Sequence, residues 1–142
     1  MFTLAKRYRF SAEHTLHSKV LSEEENLRVY GKCANPSGHG HDYAIEVIVS
    51  GPNLIDDVVL GHGLLDDLVK QRLAARLMYQ NLNRTFGESF IPTGENLTAA
   101  VWGLLAPHIP QGLSLAVRIV ETPKNAFVFR GDREQSGAAD VG

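Results

Sequence analysis

The chain has 142 residues and a formal net charge of −2, with 44% hydrophobic and 21% charged residues. That length suits one domain with its own core, and the composition is that of an ordinary soluble globular protein. The near-neutral balance excludes a global basic field for nucleic acid, and no apolar run reaches the length of a membrane span.

The opening stretch MFTLAKRYRFSAEH lacks the apolar segment of a secretory signal. The single cysteine, Cys33, has no internal disulfide partner. Both features lead us to expect a cytoplasmic protein. In chain order, residues 2 to 14 read as a strand, with Phe2, Leu4, Tyr8, Phe10, Ala12 and His14 on one parity and Lys6 as the exception. Residues 15 to 38 have no clean period and read as a long loop of the kind that carries function. Within it, SEEEN reads as solvated. Residues 41 to 50 form a second strand, closed by Gly51 and Pro52.

Residues 64 to 79 predict a helix, with Leu65, Leu68, Val69, Leu73 and Leu77 as its buried stripe. Pro92 and Thr93 open a second helix, with Thr93 as cap and Glu95 at the positive end of its dipole. Its apolar face is Leu97, Ala100, Val101, Leu104 and Leu105, and Pro107 and Pro110 mark its end. Residues 113 to 122 and 126 to 130 are the third and fourth strands. The order predicts an α+β fold, a four-stranded antiparallel sheet with two helices on one face. We expect one domain over residues 1–131 and a flexible tail over 132–142. Exposed strand edges invite pairing between subunits, so an oligomer is expected.

The stretch GKCANPSGHGHDY, residues 31 to 43, concentrates the chemistry. His39 and His41 are two apart at the start of a strand and therefore share a face. Gly38 and Gly40 let the backbone bend there. Two neutral imidazoles on one face make most of an open catalytic zinc site. His14, at the end of the first strand, is the third candidate ligand, with His17 as its competitor. Cys33 reads as a metal ligand, a thiolate base or nucleophile, or a buried small hydrophobe. Glu121 breaks an apolar parity, so an inward carboxylate there needs a partner. The amidine edge of a pterin or guanine would serve, and so would an arginine of the chain.

Together, FSAEHTLHSK, LSEEENL, YGKCANPSGHGHDY, PTGENL and IVET resemble the 6-pyruvoyl-tetrahydropterin synthase family, which includes the 6-carboxytetrahydropterin synthases. The resemblance runs from about Phe10 to Asp132. It implies the T-fold, in which subunits join their sheets into a barrel, usually as a hexamer of two trimers. It further implies Zn²⁺ held by His14, His39 and His41, with Cys33 as the catalytic thiol. Glu121 would anchor a pterin ring, with Thr93 and Glu95 close to it.

The family's LDHxxLN stretch, with its Asp-His proton relay, is LMYQNLN here, so Met78 and Tyr79 replace the pair. Methionine carries no proton, and tyrosine can donate one but is a poor base at neutral pH. Tyr79 is thus the catalytic candidate at that position. His62, in the altered stretch VVLGHGL, is another possible replacement. Two functions follow from the resemblance. One is a zinc-dependent lyase acting on 7,8-dihydroneopterin triphosphate. The other is a pterin- or purine-like binding homologue with weak or absent synthase activity or with a different reaction.

Overall fold

Alternation at period two builds four strands in a computed structural model that describes residues 1–35, 38–87 and 89–131, without the side chain of His39. They are β1 (Phe2–His14), β2 (His39–Gly51), β3 (Ser114–Thr122) and β4 (Asn125–Phe129). They form one antiparallel sheet in the order β1-β2-β3-β4. The register sets Phe2 opposite Gly51, Ala12 opposite His41 and His14 opposite His39.

One face of this sheet is apolar because a single parity is apolar on each strand. Phe10 and Ala12 of β1, Tyr43, Ile45, Val47 and Val49 of β2, and Leu115, Val117 and Ile119 of β3 are all buried. Lys6, the parity exception, is drawn off the stripe by Asp66, whose carboxylate lies 2.7 Å from its ammonium. The other face holds Glu46 between Arg7 and Arg118, at 3.2 and 2.9 Å.

The helices close the apolar face. The predicted first helix starts two residues early, as α2 (His62–Val69). It widens into a π-turn, Lys70–Ala74, and finishes as α3 (Ala75–Leu77). It stops short of residue 79 because Met78 is extended and Tyr79 has φ +55°. The predicted second helix is α5 (Gly94–Leu105), capped by Thr93, whose hydroxyl accepts from the Asn96 amide. Leu65, Val69, Leu73, Leu97, Val101 and Leu105 complete the core. At Gly94 a Cβ would fall inside the Phe127 ring, which lets α5 begin hard against β4.

Two further helices stand outside the predicted ones, the first of them in a stretch expected to be irregular. The long loop contains α1 (Glu23–Tyr30), and α4 (Leu82–Thr85) follows the first helical run. Ser22 caps α1 by accepting from the Glu25 amide, the capping-box spacing. Its acidic first turn is exposed, as expected for SEEEN. The buried residue of α1 is polar: Asn26 bonds Ser18, Leu21 and Ser22, while Leu27 and Val29 face outward. An apolar period could not reveal such a helix. Among the described residues no helix is long and apolar enough to cross a membrane. The expected tail, residues 132–142, lies outside the described residues.

Candidate active site

The site is assembled where the strands end. β1 finishes at His14, directly opposite the start of β2. The chain enters β2 through Gly38, at φ +71°, where a Cβ would lie 3.2 Å from both the His14 carbonyl oxygen and the Thr15 hydroxyl. A side chain there would be strained and crowded, so Gly38 makes the bend. Gly40 does not share that role, since it lies within β2 without positive φ and with space around it. Before Gly38, a short 3₁₀ turn, Gly31–Ala34, carries Cys33 toward the same place.

His14, Cys33, His41 and Glu121 each offer one ligand atom, and these atoms all lie within 4.8 Å of one another. His14 is 1% exposed. Its Nδ1 is 3.0 Å from the Pro92 carbonyl oxygen. A carbonyl only accepts, so Nδ1 carries the proton and Nε2 keeps the lone pair a metal requires. A carbonyl behind a ligating imidazole is the usual outer support of such a site. The Tyr43 hydroxyl also touches Nδ1, at 3.2 Å. His41 Nε2 is 3.5 Å from a Glu121 carboxylate oxygen. The third expected ligand, His39, begins β2 opposite His14, but its side chain lies outside the described residues.

The cluster's electrostatics favour a cation. Burial, and then the charge of Glu95, raises the Glu121 carboxyl above its ordinary value. Burial, and then Glu121, raises the Cys33 thiol. Both groups would ionise more readily beside a divalent ion, which supplies the missing positive charge. The donor set also fits zinc, which takes imidazole, thiolate and carboxylate ligands. Thr93 stands at the start of α5 as a helix cap, and Glu95 is exposed in its first turn, close enough for its charge to reach Glu121.

Other candidates separate from this cluster. His17 is exposed. His62 begins α2, where its charge contributes to Asp66, whose carboxyl is held low first by hydrogen bonds from Lys6 and Tyr8. His62 is not among the four residues whose ligand atoms converge. Met78 is half-buried against the core. Tyr79 is 83% exposed, and its amide donates to the Ser11 carbonyl at 2.6 Å. Tyr79 lines a cleft of about 330 Å³ with Ser11, Glu13, Gly40, His41 and Gln80. Tyr79 and the cluster residue His41 therefore share one opening. The support from Pro92 had no signal in the sequence, because any residue supplies a carbonyl.

Known proteins agree with this architecture. The model of the 6-pyruvoyl tetrahydropterin synthase family matches residues 3–132. The chain is 40% identical over 126 residues to 6-pyruvoyl tetrahydrobiopterin synthase of Poecilia reticulata, covering 87% of this chain and 86% of that protein. It is 34% identical over 132 residues to the Homo sapiens protein of that name, covering 91% of each. The solved Caenorhabditis elegans 6-pyruvoyl tetrahydropterin synthase superposes with a TM-score of 0.83 at 32% identity, covering 92% of this chain and 96% of the other. Since the match spans the strands, both long helices and the Cys33–His41 segment that builds the cluster, the chain belongs to the 6-pyruvoyl tetrahydropterin synthase family.

Proposed function

We propose that this protein is a zinc-dependent carbon–oxygen lyase of the 6-pyruvoyl-tetrahydropterin synthase type, acting on 7,8-dihydroneopterin triphosphate or a close relative. The observation that carries the reading is the convergence of His14, His41, Cys33 and Glu121 within 4.8 Å. A thiol beside the imidazoles supplies a base next to the position where the metal would polarise the substrate.

His14, His39 and His41 would hold the metal. When bound, zinc supplies a Lewis acid that acidifies carbon-bound protons on the hydroxylated side chain of the substrate. Cys33, as thiolate, takes one of those protons. Glu121 accepts two N–H bonds from the amidine edge of the ring, a charge-assisted pairing that fixes its orientation. Thr93 and Glu95 flank that edge. Triphosphate leaves with the electrons of its C–O bond, and the ring gains the hydrogens that the side chain loses, so no external oxidant is required. Tyr79 donates a proton from the cleft it shares with His41, in place of the Asp-His pair. The outer edges of β1, ahead of Ser11, and of β4 join those of further copies, giving a homo-oligomer, a hexamer of two trimers, with the site near a subunit boundary.

The test is turnover of 7,8-dihydroneopterin triphosphate by zinc-loaded protein, followed by triphosphate release. Turnover that disappears in Cys33→Ala supports the reading. Wild-type protein that binds the substrate but releases no triphosphate overturns it.

A further inference from the structure

Beyond the cluster, a chain of hydrogen bonds runs from α4 to the back of the Cys33 turn. The Asn83 side chain meets the main chain of Thr15 at two points. Its Oδ1 accepts from the Thr15 amide at 2.8 Å, and its Nδ2 donates to the Thr15 carbonyl at 2.7 Å. A carboxamide used this way stands in for a peptide group of a neighbouring strand. It extends the pairing of β1 one residue past His14, at the point where β1 itself ends.

Thr15 then holds the thiol-bearing turn. Its hydroxyl donates to the Asn35 carbonyl at 2.8 Å, and the next amide, Leu16, donates to the Cys33 carbonyl at 2.7 Å. Gly38 closes the same turn by donating to the Asn35 carbonyl at 2.9 Å. Asn83 is itself fixed, because its amide donates to the Asn81 side chain at 3.0 Å and Thr85 ties α4 to the Arg76 carbonyl.

We propose that Asn83 is a positioning residue, which clamps Thr15 and through it sets where the Cys33 thiol and the His14 imidazole stand. Its importance for catalysis rests on the reading of Cys33 as the reacting thiol, whereas the positioning itself does not. Few other groups could do this. Aspartate keeps the acceptor but loses the donor and sets a carboxylate against the Thr15 carbonyl. Alanine loses both.

Cys33 is the only cysteine, so alkylation of the full-length protein by iodoacetamide, followed by intact mass, reports on this one turn and needs neither substrate nor turnover. Asn83→Ala should raise the second-order alkylation rate about tenfold, the scale of losing hydrogen bonds of this kind. Thr15→Val, which removes only the hydroxyl, should raise it by a smaller factor. The double variant should fall short of the product of the two, because the bonds act in series. Val49→Ala, a core truncation at the other end of the sheet, serves as a control for general loosening, with thermal melts to measure its destabilisation. A rate in Asn83→Ala within twofold of wild type would overturn the proposal. So would an equal rise in Val49→Ala at the same loss of melting temperature. If Asn83→Ala does not fold, Asn83→Asp and Thr15→Val carry the test under the same two criteria. Absent synthase turnover in wild type alongside the expected alkylation pattern would sink the lyase reading and leave the positioning role standing.

Discussion

Two corners of this molecule lie beside the same cleft and are built in opposite ways. The cluster of His14, His41 and Glu121 stands on strands, with His14 buried and backed by the Pro92 carbonyl. The turn at Met78 and Tyr79 hangs on the outer edge of β1 through main-chain bonds, from Tyr79 to Ser11 and from Glu13 to Gln80. Those bonds hold the turn whatever side chains it carries. On the proposed reading, a change of side chain at Met78 or Tyr79 would leave the strand-borne cluster in place. In this chain the strands carry the clustered ligand atoms of His14, His41 and Glu121, and the edge turn carries the exposed Tyr79.

The largest effects should come from the strand side. Cys33→Ala should lower turnover about 10²–10⁴-fold, the range for a proton-transfer group. Pterin affinity in that variant, measured by calorimetry, should stay within a few-fold of wild type. Glu121→Ala should instead weaken pterin binding by roughly 1.5–3 kcal/mol, the scale of hydrogen bonds to a charged group. An unchanged affinity in Glu121→Ala would mean that the ring is held elsewhere. A chelator should abolish turnover, and added zinc should restore it unless His39 or another ligand has been lost.

The edge turn should give intermediate effects. Tyr79→Phe keeps the ring and removes only the hydroxyl, so kcat should fall by about 10²-fold while KM stays near its original value. An unaltered kcat would take the phenol out of the mechanism and leave the proton to water. Met78→Asp tests the packing of the same turn. Met78 borders an apolar pocket with Tyr8, Phe10, Leu73 and Leu77. A carboxylate there should cost about 1–3 kcal/mol of stability, read from chemical denaturation. For that reason Tyr79→His alone should give more activity per mole of total protein than the double variant with Met78→Asp. The opposite ranking would mean that the aspartate finds a partner on the cleft side.

How much of this was legible in the sequence depends on which signal each residue leaves. The alternation in β1 and β2 placed His14 and His41 on one face, because parity is a direct consequence of strand geometry. The single carboxylate on an apolar parity pointed to Glu121, and Thr93 announced the start of α5. The residues that escaped notice act through polar or main-chain contacts. The helix α1 buries Asn26 and exposes Leu27, so its apolar period is absent, although Ser22 and Glu25 carried a capping signal. Asn83 works by imitating a peptide group, which no hydrophobic pattern records. Tyr79 adopts positive φ without being glycine, so nothing in its identity gave away the turn.

The smallest effect belongs to the open face of the sheet, far from either corner, and it checks that stability and site chemistry are separable. Burial alone would raise the Glu46 carboxyl, but the hydrogen bonds and charges of Arg7 and Arg118 outweigh it and hold it below its ordinary value of 4.5. A carboxyl whose folded pKa is depressed adds stability above its unfolded pKa and loses it as pH falls through the folded one. The Glu46 contribution should therefore be complete at neutral pH and begin to fade below about pH 4.5. Both arginines are partly exposed, so solvent screening keeps the whole effect within about 1 kcal/mol. Glu46→Gln should melt slightly below wild type near neutral pH, and the two curves should converge as the pH drops below the carboxylate range. A gap that persists in acid would mean that the carboxamide is deficient for packing reasons and that the ion pairs add nothing. Added salt offers an independent check, because it should narrow the neutral-pH gap without moving Cys33 alkylation, which depends on the hydrogen-bonded turn at the other end of the sheet.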